Sequence, residues 1–277
     1  MITYPCCKIN LGLNVVSKRE DGYHNLETVF YPIPLCDVLE IKEVDNASHS
    51  LCTLQMEGNE LDCNAQDNLI VKAYNLIAKD YKLPSVKVSL EKRIPSQAGL
   101  GGGSSDAAFM IKLLNAQFNL NISIAQMEDY AARLGADCAF FIQGKQTFAT
   151  GIGNIFTPLN TDKDLLKGCY IAIVKPDIPI PTSEAFRNIK PQHPAISCEK
   201  AILEPIEDWK NMLSNDFENS IFGLHPELPA IKNKLYELGA TYAQMSGSGS
   251  SVFGIFKNEP ENLKQCFDGA FTFTAKL

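Results

Sequence analysis

In residues 8–15, hydrophobic positions alternate with positions that carry a polar residue or glycine. The apolar set consists of Ile9, Leu11, Leu13 and Val15. The set between them consists of Lys8, Asn10, Gly12 and Asn14. Successive side chains of a strand point to opposite faces, so a period of two predicts a β-strand with one core face and one polar face.

Several other segments show a strand-like or helical pattern. Apolar or alternating runs predict strands at 38–44, 51–56, 86–90, 169–174, 241–245 and 252–256, and another at the C-terminus. Helical spacing predicts helices after Asn68, after the glycines at 99–103, after Ser123, after Thr182, after Pro226 and over 260–267. Mixed α and β structure is the expected fold class.

Capping residues mark several of these helix ends. Asp67 or Asn68 can cap the first helix. Ser123 with Gln126 forms a capping-box pattern, and Gly135 can end the helix that follows. Thr182 or Ser183 is expected to cap a later helix.

The chain length allows one large domain or two medium ones, since 277 residues are present. The composition shifts at 157–162, which predicts a first domain over 1–158 and a second over 159–277.

A net charge of −7 without a basic cluster argues against a nucleic-acid partner.

Cysteine usage and hydropathy indicate the cellular compartment of the protein. The chain has nine cysteines and no Cys-x-x-Cys pair, which indicates free thiols in a reducing cytoplasm and no zinc site. The N-terminal segment lacks the pattern of a secretory signal. No apolar run approaches the ~18 residues of a membrane span, so no membrane partner is expected.

Glycine is concentrated in residues 95–107, which read PSQAGLGGGSSDA. A predicted strand precedes the glycines, and helical apolar spacing follows them. Free N–H groups at a helix N-terminus favour an anion, and glycine lets that anion approach the backbone closely. The segment predicts a phosphate-binding loop, with Ser104 or Ser105 available to phosphate or Mg²⁺. A flexible surface turn is the alternative.

This loop differs from the two commonest phosphate loops. A Walker A motif needs Lys after the last glycine, and the dinucleotide fingerprint needs glycine where Ser104 stands. A different class of phosphate loop is therefore expected.

Polar residues elsewhere suggest the rest of a site. Lys8 and Asn10 project the same way from the first strand, either into a site or, at a sheet edge, into solvent. Tyr23 and His24 follow an Asp-Gly turn and could hold a planar ring, although a surface turn is the alternative. Asp137 could stay ionised beside a lysine and accept a hydroxyl proton, or could cap a helix. Residues 246–251 read SGSGSS and form either a tight turn or a second phosphate loop.

Together these motifs resemble the GHMP kinases, named for galactokinase, homoserine, mevalonate and phosphomevalonate kinases. Three motifs of that superfamily stand in order, at 5–13, 95–107 and 246–253. The resemblance implies an α+β fold of two domains. The first is like domain 2 of ribosomal protein S5 and the second is ferredoxin-like, with the site in the cleft between them. The implied cofactors are ATP and Mg²⁺, with the metal ligands unknown.

The resemblance extends to members that phosphorylate the 2-hydroxyl of a cytidine diphosphate derivative of methylerythritol, in non-mevalonate isoprenoid synthesis. It implies that Asp137 is the base, with Lys8 beside it. ATP phosphates are expected on Pro95, Ser96, Gln97, Ala98, Gly99, Leu100, Gly101, Gly102, Gly103, Ser104 and Ser105. The adenine nucleotide is expected near Asn68, Leu69 and Lys92. The acceptor substrate is expected on Asn10, Tyr23, His24 and Thr182.

Two departures and two alternatives accompany this assignment. Cys6-Cys7 stands where small residues are commoner, and Asp106 stands where some members carry Asn, so Asp106 could aid Mg²⁺ or cap the helix. A kinase for homoserine or a mevalonate derivative is one alternative, although such acceptors have no base to stack on Tyr23. An inactive nucleotide-binding relative is the other. A monomer or weak homodimer is expected.

Overall fold

The computed structural model describes residues 1–45, 51–58, 65–161 and 163–277. Cys63 and Asp162, which entered the cysteine and boundary arguments, lie outside the described residues. The strands are β1 (Ile2–Thr3), β2 (Cys6–Lys18), β3 (His24–Cys36), β4 (Val38–Glu43), β5 (Cys52–Gly58), β6 (Val86–Lys92), β7 (Thr147–Thr150), β8 (Ile155–Pro158), β9 (Tyr170–Lys175), β10 (Tyr242–Met245), β11 (Val252–Phe256) and β12 (Phe271–Lys276). The helices are α1 (Leu69–Ile77), α2 (Gly102–Phe118), α3 (Ile124–Ala132), α4 (Phe140–Gln143), α5 (Thr182–Phe186), α6 (Cys198–Ala201), α7 (Trp209–Met212), α8 (Asp216–Ile221), α9 (Glu227–Glu237) and α10 (Leu263–Cys266).

The chain divides into two compact units, each made of separate segments. The first unit contains Met1–Cys7, Leu35–Ser96 and Gly101–Lys145. The second unit contains Lys8–Pro34, Gln97–Leu100 and Gln146–Leu277. Within the described ranges, no helix is long and apolar enough to cross a membrane.

The first unit is built on a sheet with the strand order β1-β4-β6-β5. Strand β4 is antiparallel to β1 and β6, whereas β5 runs parallel to β6. Helices α1 and α2 pack against each other. Asn68 caps α1 through its side chain, and the predicted capping box of Ser123 and Gln126 is present at α3.

The second unit contains two sheets, with the strand orders β2-β3-β7-β8 and β10-β11-β9-β12. In the latter, β9 is antiparallel to both β11 and β12, and β10 is antiparallel to β11. Helix α9 packs on β10 and β11. Its buried Leu228, Ile231 and Leu235 join the core formed by strand residues such as Val174 and Val252.

Most predicted elements are confirmed, but three differ. Pro181 is the N-cap of α5 and no side chain caps it, so the expected cap by Thr182 or Ser183 is wrong. The last helix spans only Leu263–Cys266, because Asn262 before it adopts the left-handed conformation that stops helical growth toward the N-terminus. Helix α3 ends at Ala132, before the predicted stop at Gly135.

Candidate active site

Lys8 and Asn10 lie on β2 and are both buried, with 5% and 2% of their surfaces exposed. Lys8 Nζ donates hydrogen bonds to Asn10 Oδ1 at 2.8 Å and to the main-chain oxygen of Gly99 at 3.0 Å. A buried ammonium group is costly unless polar atoms surround it. Lys8 and Asn10 therefore form a buried polar cluster beside the glycine-rich loop. The alternative, a lysine that faces solvent at a sheet edge, is wrong.

A second layer of hydrogen bonds orients the Asn10 amide. Asn10 Nδ2 donates to Thr28 Oγ1 at 2.9 Å, and that hydroxyl donates to the carbonyl of Gly12 at 2.5 Å. Thr28 lies on β3 and is 1% exposed. The bond to Thr28 holds the Nδ2 end of the amide, so the Oδ1 oxygen at the other end is directed at Lys8.

The glycine-rich loop depends on positive φ angles and close backbone approach. Gly99 and Gly101 have φ values of +72° and +70°. A Cβ on Gly99 would lie 1.9 Å from the main-chain oxygen of Ser246. No other residue type fits there without moving one of the two loops. The second glycine-rich segment, 246–251, therefore packs directly on the first.

The loop ends at α2, which carries buried oxygens at the end of its first turn and directly after it. Gly101, in the left-handed conformation, is the N-cap of α2. Ser105 Oγ and Asp106 Oδ1 are buried without a hydrogen-bond partner. The first N–H groups of any helix lack intrahelical partners, so this turn can receive an anion.

Gly102 and Gly103 differ in the space around them. A Cβ on Gly102 would lie 2.9 Å from Cγ2 of Ile94 and 3.3 Å from Nζ of Lys92. A Cβ on Gly103 would meet only Cδ1 of Leu69, at 3.9 Å. Gly102 is thus needed for packing, whereas Gly103 leaves its side open for a ligand.

Lys92 forms a buried ion-pair cluster with Asp37 and Asp106. Lys92 Nζ lies 2.9 Å from Asp106 Oδ2 and also contacts Asp37 Oδ2. Burial alone would lower the pKa of Lys92, but the two carboxylates outweigh it and the pKa is raised. Asp37 Oδ1 accepts hydrogen bonds from the main-chain N–H groups of Arg93 and Ile94 at 2.6 and 2.8 Å. The cluster therefore joins the end of β6 to the start of α2.

Asp137 lies in the turn between α3 and α4 and is half-buried. The neighbouring Cys138 thiol is close to Gly135, where a Cβ would lie 3.0 Å from its Sγ atom. Burial raises the pKa of Cys138 to about 12, Asp137 adds to that shift, and a hydrogen bond with Ser104 opposes it. The turn that carries Asp137 thus contacts the first turn of α2.

Asn68 and Leu69 lie at the start of α1. Asn68 is 7% exposed, and its Oδ1 accepts a hydrogen bond from the Ile70 N–H at 2.9 Å. Leu69 is half-buried and is the neighbour nearest to the open side of Gly103. Both residues belong to the first unit, as do Gly103 and Lys92.

Tyr23 lies in the turn between β2 and β3, and His24 is the first residue of β3. Tyr23 is 62% exposed, whereas the His24 ring stacks on Phe186 with centroids 5.0 Å apart and a 20° interplanar angle. Burial lowers the pKa of His24, and Lys18 adds to the effect. Phe186 follows Thr182 by one helical turn on α5, so Thr182 and the His24–Phe186 pair lie near one another.

Two segments of the chain match models of known domains. Residues 68–145 match the GHMP kinases N terminal domain and residues 199–271 match the GHMP kinases C terminal domain. The chain belongs to the GHMP kinase family. A two-domain α+β fold follows from that membership, and ATP-dependent phosphoryl transfer is the chemistry that the family implies.

Individual GHMP kinases resemble the chain along its full length. A 4-diphosphocytidyl-2-C-methyl-D-erythritol kinase from Bacteroides fragilis is 53% identical over 277 residues, covering 100% of both chains. The enzyme of that name from Bacteroides thetaiotaomicron is 56% identical over 261 residues, covering 94% of this chain and 93% of its own. A crystal structure of 4-(cytidine 5'-diphospho)-2C-methyl-D-erythritol kinase matches with a TM-score of 0.79 and 31% identity, covering 99% of this chain and 98% of its own.

Sequence reasoning missed three residues that contact the candidate site residues or the glycine-rich segments. Asp37 and Asn215 carried no local motif, and their partners are distant in sequence. Phe186 was overlooked, although its spacing of four from Thr182 on a predicted helix was a usable signal.

Proposed function

We propose that this GHMP kinase transfers the γ-phosphoryl group of ATP to the 2-hydroxyl of 4-diphosphocytidyl-2-C-methyl-D-erythritol, giving the 2-phosphate and ADP in non-mevalonate isoprenoid synthesis. The observation that carries the chemistry is the buried Lys8 ammonium group bound to the Gly99 carbonyl of the glycine-rich loop. The named relatives, similar over the full length, support the identity of the acceptor.

Asp137 is proposed as the general base. Its carboxylate takes the proton of the acceptor hydroxyl, the hydroxyl oxygen attacks the γ-phosphorus, and ADP leaves. Lys8 supplies positive charge to the transferring phosphoryl group. Most of the rate enhancement in such reactions comes from positioning and charge stabilisation rather than from covalent chemistry.

The loop from Pro95 to Ser105 is proposed to hold the ATP phosphates. The free N–H groups at the start of α2, which favour an anion, and the open side of Gly103 support this placement. Asn68, Leu69 and Lys92 are proposed to lie near the nucleotide. Of these, Lys92 acts through its buried ion pairs, because its ammonium group already contacts Asp37 and Asp106.

Asn10, Tyr23, His24 and Thr182 are proposed to bind the acceptor. The exposed Tyr23 ring is available to stack on cytosine, and His24, held by Phe186, is available to bond the edge of the base. The fixed amide of Asn10 can orient the part of the acceptor near Lys8.

Mg²⁺ is proposed to arrive with ATP, because this ion keeps several waters and is held mainly through phosphate oxygens. In the part of the chain that the structure describes, no group of three or more His, Cys or acidic side chains is arranged to hold a metal. The orphaned Ser105 hydroxyl fits such an ion, which needs few protein ligands. Bound Mg²⁺ would neutralise phosphate charge during transfer.

We further infer a cytoplasmic enzyme with a small-molecule acceptor and no nucleic-acid or membrane partner, acting as a monomer or weak homodimer. Free thiols at Cys6, Cys36 and Cys138 support a reducing compartment. A coupled assay of ADP release tests the proposal, with the cytidylylated methylerythritol set against homoserine and mevalonate. Preference for homoserine or mevalonate would contradict the acceptor, and no turnover with any of them would favour an inactive nucleotide-binding relative.

A further inference from the structure

Asn215 precedes α8 and is 1% exposed. Its Nδ2 donates hydrogen bonds to the carbonyls of Met245 and Gly247, each at 2.8 Å. Its Oδ1 accepts from the Phe217 N–H at 3.0 Å, which caps the helix. One buried amide therefore fixes both a helix start and the backbone on either side of Ser246.

Ser246 connects this amide to the glycine-rich loop. Ser246 Oγ donates to the Gly99 carbonyl at 3.0 Å. Lys8 Nζ donates to the same carbonyl at 3.0 Å. A carbonyl oxygen has two acceptor sites, so the Gly99 oxygen can receive the Ser246 hydroxyl and the Lys8 ammonium group at the same time. A continuous chain of hydrogen-bonded and covalent links runs from Asn215 to Lys8.

The first turn of α8 holds the surrounding backbone in the same way. Asp216 Oδ2 accepts from the Val15 N–H of β2 at 2.7 Å. Glu218 Oε1 accepts from the Met245 N–H at 2.8 Å. The short helix thus bonds the strand that carries Lys8 and the segment that carries Ser246.

We propose that Asn215 is a positioning residue for phosphoryl transfer, which orients Lys8 through the Met245–Gly247 backbone, the Ser246 hydroxyl and the Gly99 carbonyl. The inference rests on the proposed function, in which Lys8 stabilises the transferring group. Displacing a catalytic group by ~1 Å can cost about a hundredfold in rate, so a residue that touches no substrate can still control kcat.

The test uses the full chain with Asn215→Asp, Asn215→Ser and Ser246→Ala. Aspartate and serine keep an acceptor that caps α8 but lose the amide donors. Ser246→Ala removes only the hydroxyl link to Gly99. The matched control is Asn115→Asp. The Asn115 amide is part-buried, and it donates to the Ile122 carbonyl and accepts from the Ile122 N–H.

We expect Asn215→Asp and Ser246→Ala each to lower kcat about ten- to a hundredfold, with KM for the acceptor changed by less than about threefold. Because both substitutions act through Gly99, kcat of the double variant Asn215→Asp/Ser246→Ala should fall by no more than about the larger of the two single losses. If the two substitutions caused independent structural defects, their fold-losses in kcat would multiply. Asn215→Ser should resemble Asn215→Asp, and Asn115→Asp should keep wild-type kcat.

Amide hydrogen exchange provides a readout that needs no acceptor. Asn215→Asp and Asn215→Ser should speed exchange at 97–101 and 246–251, whereas Asn115→Asp should leave both segments unchanged. Unchanged exchange there, multiplicative losses in the double variant, or kcat at the wild-type value would each overturn the positioning role. If the wild type fails to phosphorylate the acceptor, the proposed function fails while the exchange result still decides the network.

Discussion

The ammonium group of Lys92 lies 2.9 Å from Oδ2 of Asp106, and both side chains are almost fully buried. Asp37, also buried, completes a cluster of one cation and two carboxylates. Buried ion pairs add little net stability compared with apolar side chains, but removing one partner is costly. Their position between β6 and α2 indicates that they fix the two ends of the glycine-rich loop.

This cluster predicts a pH dependence of stability. Burial raises the pKa of Asp106 to about 7; Lys92 opposes the shift and Asp37 adds to it. In the unfolded chain an aspartate titrates near its ordinary value of about 3.9. Between about pH 4 and pH 7 the folded protein holds more protons at Asp106 than the unfolded chain, so the free energy of unfolding falls as pH rises.

Asp106→Asn should remove that slope, because the amide does not titrate and can still accept from Lys92. The unfolding free energy of the variant minus that of wild type should be more positive at pH 8 than at pH 5 by roughly 1–3 kcal/mol. Urea unfolding at both pH values measures it, with exposed Asp268→Asn as the control. An equal change in unfolding free energy at the two pH values would contradict a raised pKa of Asp106.

The elements with strong local signals were predictable from the sequence. Strands were expected at 241–245 and 252–256 and are found at Tyr242–Met245 and Val252–Phe256. These two runs, rich in apolar residues, flank the glycine-containing segment 246–251, a pattern that is typical of two strands joined by a turn. In contrast, β3 was not predicted, because Pro32 and Pro34 near its end argue against a strand unless pairing partners are known.

The chemistry-bearing residues were predictable only where a motif surrounds them. Lys8 and the glycines belong to such motifs. The partners of Lys92 do not, because Asp37 is 55 positions away and Asp106 lies 14 positions away on another element. Tertiary pairing of this kind leaves no local pattern, so the family resemblance implied a place near the nucleotide for Lys92 but gave no sign of its ion pairs.

Gly103→Val tests the phosphate loop more cleanly than a change at Gly102. Valine at 102 would collide with Ile94, whereas the side of Gly103 is open. Gly103→Val should therefore keep the melting temperature but weaken ATP binding by at least about tenfold, because its methyl groups occupy the space proposed for phosphate. Calorimetric titration with ATP measures the affinity. Gly223→Val, at another glycine with open space around it, is the control. Wild-type affinity for ATP in Gly103→Val would exclude the loop as the phosphate-binding site.

Asp137→Asn tests the proposed base. Removing a positioned base costs ~10²–10⁴ in rate, so kcat should fall by that factor while ATP affinity stays near wild type. The amide keeps the size of the side chain, and steady-state kinetics with calorimetry separate the two effects. Asp129→Asn, an exposed carboxylate on α3, is the control. Retention of more than about a third of wild-type kcat would exclude the role.

Tyr23→Ala tests the acceptor itself. The ring is 62% exposed, so its removal should barely change stability. Stacking on a base contributes roughly 1–3 kcal/mol, which corresponds to a rise in KM for the cytidylylated acceptor of about ten- to a hundredfold. KM for ATP should stay constant, because the nucleotide is proposed to lie on the glycine-rich loop.

The matched control is Tyr4→Ala, since Tyr4 is 60% exposed on a segment without a proposed ligand. Steady-state kinetics with each substrate varied in turn measure both KM values for wild type and the two variants. A rise in KM for ATP, with no rise in KM for the acceptor, would indicate that the Tyr23 ring contacts the nucleotide and not the acceptor. Equal turnover of an acceptor without a base would remove the need for stacking, and a homoserine or mevalonate kinase would then fit the site better.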